Sequence, residues 1–219
     1  MTVRVQEHSG PPDTRKDLGR GMEQFHHPRP VCTGRGSESR PTWQRERLLA
    51  GLSGRVLEIG AGDGVKLTCF PSGVDEIVLV EPDPFLRAAA QLAAATTSTP
   101  VRIRDGALTR LPVPDASCDA VVCSLVLCCA ARPETALSEV RRVLRPGGEL
   151  RFYEHRRSGN PVVALIESVS TPLWARLCGG CHPARDIVAV IDRAGFQIDR
   201  LDRLSFHRVD HVLGVARAR

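Results

Sequence analysis

Residues 55–64 read Arg55-Val56-Leu57-Glu58-Ile59-Gly60-Ala61-Gly62-Asp63-Gly64. The apolar first half predicts a buried strand, and the glycine-rich second half a tight turn that opens a helix. Glycine allows both the turn and the close approach of a ligand to backbone. The spacing is G-x-G-x-G, whereas a dinucleotide site prefers G-x-G-x-x-G, with a pyrophosphate at the helix N-terminus. Two acidic residues, Glu58 and Asp63, flank the turn. They suit a ligand carrying positive charge better than a diphosphate.

Working outward, Asp75 to Glu81 predicts the next strand. It ends on Glu81, 17 residues beyond Gly64. A carboxylate at that place can accept both hydroxyls of a ribose. The alternative is that the glycines only shape a turn and Glu81 is a solvated strand end. Strand, loop, acidic pair and Glu81 together favour a nucleoside ligand with positive charge and no phosphate. S-adenosyl-L-methionine, with its ammonium and sulfonium, meets that description.

Further strands are predicted at Val101–Asp105, Cys118–Ser124 and Glu149–His155. Gln197–Leu204 and His211–Ala216 read as a closing antiparallel pair. Helices are predicted from Asp83-Pro84 to Ala95, from Pro133 to Arg145, over Val162–Leu177 and over Arg185–Ala194. Asp83 is a good N-cap and Pro84 is tolerated in the first turn. Leu137, Val140 and Leu144 share one helical face. A short helix is predicted between Pro41 and Gly51. Strands alternating with helices imply an α/β, doubly wound, mostly parallel seven-stranded Rossmann-like sheet with helices on both faces. Such sheets bind ligands at the carboxyl ends of their strands.

The bulk composition is that of a globular domain, with 42% apolar and 25% charged residues among 219. A net charge of +5 comes from scattered arginines, a weak footprint for nucleic acid, so no nucleic-acid partner is expected. No apolar run of about 18 residues is present, so no membrane span is expected. The first residues lack the apolar core of a signal peptide, which predicts a cytoplasmic protein and reduced thiols for the eight cysteines. Residues 1–40 are rich in Pro, Gly, Arg and Ser and read as a flexible segment or a degenerate lid. Residues 41–219 read as the folded domain. The oligomeric state is left open.

From Arg55 to Arg157 the sequence resembles the class I S-adenosylmethionine-dependent methyltransferases. VLEIGAGDG is similar to their first cofactor motif and LVEPDP to their second. RLPVPDASCDAVVCSLVLCC and EVRRVLRPGGELRFYEH are similar to the segments around their fourth and fifth strands. SLVLCC, FYEH and GGCHPARD further resemble a bacterial subgroup related to membrane-associated alkyl-thiol methyltransferases of animals. The resemblance implies that Glu58, Gly60, Ala61, Gly62 and Gly64 cradle the methionine moiety and that Asp63 holds its ammonium. It places Glu81 at the ribose and Pro82 and Asp83 beside the adenine. It puts Asp105, Gly106 and Ala107 along the adenine, and Ser124 and Leu125, followed by Val126, under the sulfonium. Many relatives carry an acidic residue in place of Ala107. Relatives of the subgroup also follow a motif like Phe25-His26-His27-Pro28 with an aromatic-containing lid helix, whereas here RPVCTGRGSESRP follows.

Methyl transfer is an in-line displacement that chiefly needs orientation. Where a base is needed, His155 and Glu154, at the end of the fifth helix-covered strand, and His182 are the candidates. Cys178-Gly179-Gly180-Cys181-His182 has the haem-attachment spacing, but attachment requires export. Zinc on Cys178, Cys181 and His182 lacks a clear fourth ligand, and adjacent Cys128 and Cys129 are a poor tetrahedral pair, so no metal is expected. Cys123 and Cys128 read as buried small apolar residues. The function expected is methyl transfer to a small-molecule acceptor, thiol ahead of oxygen or nitrogen. The alternatives are a cyclase or lyase that retains the methyl group, or a non-catalytic S-adenosylmethionine-binding module.

Overall fold

The computed structural model describes residues 42–177, 179–206 and 209–219. The expectations for residues 1–40, including the lid, and for Cys178 lie outside the described residues. Trp43–Leu49 forms α1, then Gly54–Ile59 forms β1, Val74–Val80 β2, Pro84–Ala94 α2 and Val101–Arg104 β3. Cys118–Ser124 forms β4, Pro133–Val143 α3, Leu144–His155 β5, Pro161–Leu177 α4, Ile187–Arg193 α5, Phe196–Phe206 β6 and Val209–Ala218 β7.

The seven strands make one sheet of order β3-β2-β1-β4-β5-β7-β6. The β1 strand runs parallel to both β2 and β4, as do β2 to β3 and β4 to β5. The β7 strand is antiparallel to both its neighbours, so the sheet is mixed. Consecutive β6 and β7 form an antiparallel pair, and β7 lies between β6 and β5, against the direction of the parallel strands. Gly214 lies where β7 crosses Phe152, and a Cβ there would come within 2.8 Å of the Arg200 carbonyl oxygen.

Strand periodicity builds a core on each face. Leu57 and Ile59 point with Val121, Cys123 and Phe152 toward α3 and α5, meeting Leu137, Val140, Ile187 and Ile191. Val56 points the other way with Ile77, Leu79 and Val122, against Leu48 and Leu49 of α1 and Ala90 of α2. Asp83 caps α2, its Oδ1 accepting from Phe85 N at 2.8 Å and Leu86 N at 3.2 Å. Two expectations need correction. No α-helix follows the glycine turn; Leu67–Cys69 forms one 3-10 turn instead, and Pro71, without an N–H, lies where a helix would continue. The fifth strand begins at Leu144 rather than Glu149, with a register shift after Cys118.

The α4 helix leaves Val162, Leu165, Ile166, Val169 and Leu173 exposed. Among the described residues, no helix is long and apolar enough to cross a membrane.

Candidate active site

The strand order reverses between β1 and β4, so the connections leaving their carboxyl ends turn apart and leave a crevice. The glycine turn leaves β1 there. Gly60, Gly62 and Gly64 have φ of 66°, 63° and 79°, a region where a side chain is strained. A Cβ on Gly62 would meet nothing within 4 Å, so the turn faces open space; one on Gly64 would press on Ala90 Cα at 3.1 Å. The buried Glu81 closes the turn: its Oε2 accepts from Gly62 N at 2.8 Å and its Oε1 from Asp83 N at 3.0 Å. Ala61 is buried, and the Asp63 carboxylate accepts from Val65 N at 3.2 Å.

Glu58 occupies the last turn-facing position of β1 and is 1% exposed. Its Oε1 pairs with Lys66 Nζ at 2.7 Å, while Oε2 has no hydrogen-bond partner among the described residues. Burial raises its pKa, with Lys66 opposing. A buried carboxylate with one free oxygen fits a cationic ligand.

Beside Glu81, Arg87 Nη1 bonds the carbonyl oxygens of Glu81 and Pro82 at 2.8 and 2.6 Å and Asp105 Oδ1 at 3.1 Å. This brings Pro82, Asp83 and Asp105 to one rim. Gly106 abuts Pro112 and Val80, and Ala107 bridges to Arg110.

At the end of β4, Leu125 has φ of 58°, a conformation that for this residue carries strain and often marks a working site. Its N–H donates to the Tyr153 carbonyl at 2.7 Å. Ser124, Leu125 and Tyr153 line a cavity of about 300 Å³ with Lys66 and with Thr42, Gln44, Arg45 and Leu48 of the α1 segment. Sequence reasoning missed Lys66, Arg45 and Tyr153. Strand parity offered a signal for Tyr153, whereas nothing local marks Arg45.

Glu154 is 0% exposed. Its Oε1 accepts from Val126 N at 3.0 Å and Leu127 N at 2.9 Å, and its Oε2 from Cys128 N at 3.0 Å. Burial pushes its pKa up, and these three donors pull it down. His155 turns from the cavity: its Nδ1 lies 3.1 Å from Cys181 Sγ and 3.5 Å from Cys128 Sγ, and its ring leans on His211. His182 is occupied locally, Nδ1 to the Gly180 carbonyl oxygen at 2.6 Å. None of Glu154, His155 and His182 is among the residues lining this cavity.

Carboxylates at the ends of β1 and β2, an open glycine turn and a reversing strand order suit a phosphate-free, positively charged nucleoside. That combination defines a class I S-adenosylmethionine-dependent methyltransferase, and the chain belongs to this family. Residues 57–152 match the family model described as "Methyltransferase domain". Within the class, the chain is 32% identical over 178 residues to the thiol S-methyltransferase TMT1B of Rattus norvegicus, covering 76% of this chain and 70% of that protein. Against the human TMT1B it is 32% identical over 174 residues, with the same shares covered. A putative methyltransferase of Bacillus halodurans C-125 shares the fold with a TM-score of 0.67 at 15% identity, over 83% of this chain and 99% of that one. The cofactor is S-adenosyl-L-methionine, which supplies an electrophilic methyl group.

Proposed function

We propose that the protein transfers the methyl group of S-adenosylmethionine to the sulfur of a small thiol. The lining of the cavity carries this reading. Among the described residues, it contains Arg45 and the Glu58-paired Lys66 and no carboxylate or imidazole. A phenol or an ammonium needs a base before it can attack, whereas a thiol ionises at about pH 8.5 and cations lower that value. The similarity to proteins named thiol S-methyltransferases supports the same acceptor.

In this reading, Glu58 and the Gly60–Gly64 turn hold the methionine end, with Asp63 at the rim. Glu81 holds the ribose, and Pro82, Asp83, Asp105, Gly106 and Ala107 border the adenine. Ser124 and Leu125 form the floor where donor and acceptor meet. Glu154 positions: by gathering three N–H groups it sets the path of the chain beyond Leu125. The acceptor loses its proton to solvent or buffer as the thioether forms.

The test is incubation of purified protein with methyl-labelled donor and a panel of thiols, phenols, amines and carboxylates. Labelled thioether and an equal amount of S-adenosylhomocysteine are expected. Label found only on oxygen or nitrogen acceptors would overturn the thiol assignment.

A further inference from the structure

Three cysteine sulfurs converge where sequence reading expected Cys128 to be a buried apolar residue and no metal. The 3-10 turn Leu127–Cys129 places Cys128 Sγ and Cys129 Sγ 3.7 Å apart, and Cys181 Sγ lies 3.9 Å from Cys128 Sγ. All three sulfurs fall within 4.8 Å of one another. The residues are 0%, 5% and 3% exposed. His155 Nδ1 touches two of the three sulfurs.

The surrounding backbone is built around this point. Arg185 Nη1 bonds the carbonyl oxygens of Leu127, Cys128 and Ala130 at 2.9, 3.2 and 2.7 Å. His182 N donates to the Cys128 carbonyl at 3.0 Å. Glu154 holds the other side of the same turn. Arg185 and Glu154 therefore fix the turn that carries Cys128 and Cys129 through its backbone.

We propose that Cys128, Cys129 and Cys181 bind a zinc ion through three thiolates, with His155 Nδ1, already against Cys128 and Cys181, moving in as the fourth ligand. Zinc–sulfur bonds of about 2.3 Å in a tetrahedron imply sulfur–sulfur edges of about 3.8 Å. The observed 3.7 and 3.9 Å bracket that value. Thiolates with an imidazole select soft or borderline ions over magnesium or calcium. Burial without an open position suits a structural site rather than a catalytic one. Three thiol protons leave to solvent on binding. Zinc offsets two of the three thiolate charges. The ion would pin the loop beyond β4, the end of β5 and the turn after α4 to one another. That function is separate from the methyl acceptor.

The test uses the reduced full chain, stripped with a chelator and titrated with Co2+. One equivalent should bind, giving sulfur-to-cobalt charge transfer in the near ultraviolet and tetrahedral ligand-field bands, and Zn2+ should bleach both. Cys128→Ser and Cys181→Ser should each weaken Zn2+ binding beyond the roughly 10–100-fold that loss of an outer-shell partner causes. Cys118→Ser, in a thiol outside the cluster, should bind as the parent does. His155→Ala should keep the charge transfer and shift the ligand-field bands. Folded parent protein that takes up no Co2+, or takes it up without thiolate charge transfer, overturns the site. So does undiminished binding by folded Cys128→Ser and Cys181→Ser; unchanged bands in His155→Ala overturn the imidazole. The parent spectrum decides even if a serine variant fails to fold.

Discussion

Single residues shape the crevice at the end of β1 through what they leave open. Gly62 has a positive φ and empty space where a side chain would stand. Gly62→Val fills that space and strains the turn, so affinity for S-adenosylhomocysteine should fall at least tenfold by calorimetry, equivalent to about 1.4 kcal/mol. Glu154 acts in the opposite way, by filling a need. Glu154→Ala strands three buried N–H groups at about 1–3 kcal/mol each, so unfolding in urea should show a loss of about 3 kcal/mol or more. Glu154→Gln keeps one acceptor oxygen and should lose less. Equal stability of the two variants would refute the positioning role. The G-x-G-x-G run was legible because a turn's demands are local. The duty of Glu154 was not, because its three donors lie 26 to 28 residues earlier.

Elements are joined by few, specific polar links. Arg142 of α3 bonds the carbonyl oxygens of Leu111 and Val113 at 3.0 Å each and pairs with Glu139. Glu139 also accepts from Leu111 N at 2.8 Å, so one i,i+3 pair fastens the segment before β4 to α3. Hydrogen bonding from Arg142 holds the Glu139 carboxyl below its ordinary value, against the effect of burial. Its folded pKa is thus depressed from the unfolded value of about 4.3. The pair's stabilisation is complete above that value and is lost as pH falls through the lower folded pKa. Glu139→Gln should reduce stability at pH 7 by about 1.5 kcal/mol. Parent and variant should converge as the pH is lowered below 4, measured by urea midpoints at several pH values. A gap that stays constant with pH would exclude an ionic origin. The helix α3 was legible from its apolar stripe. The expected helix after Gly64 failed because a strand-turn-helix pattern does not register a proline only seven residues on.

For the whole molecule, the cofactor acts as a fold ligand. Its predicted contacts come from the ends of β1, β2, β3 and β4, elements far apart in sequence. Binding to the native state alone stabilises it by about 2.7 kcal/mol at a ligand concentration 100 times Kd. S-adenosylhomocysteine should therefore raise the melting temperature in a concentration-dependent way, and Glu81→Ala should flatten that response. Sequence alone determined the glycine turn Gly60–Gly64, the acidic strand end at Glu81 and the alternation of strands and helices, because each is dictated by chain neighbours. Tertiary structure decided three things: the insertion of β7 between β5 and β6, the cavity completed by α1, and the meeting of Cys128 and Cys129 with Cys181. The last pair of partners is separated by more than 50 residues, and only the folding of β4, β5 and the turn after α4 onto one sheet brings their sulfurs together.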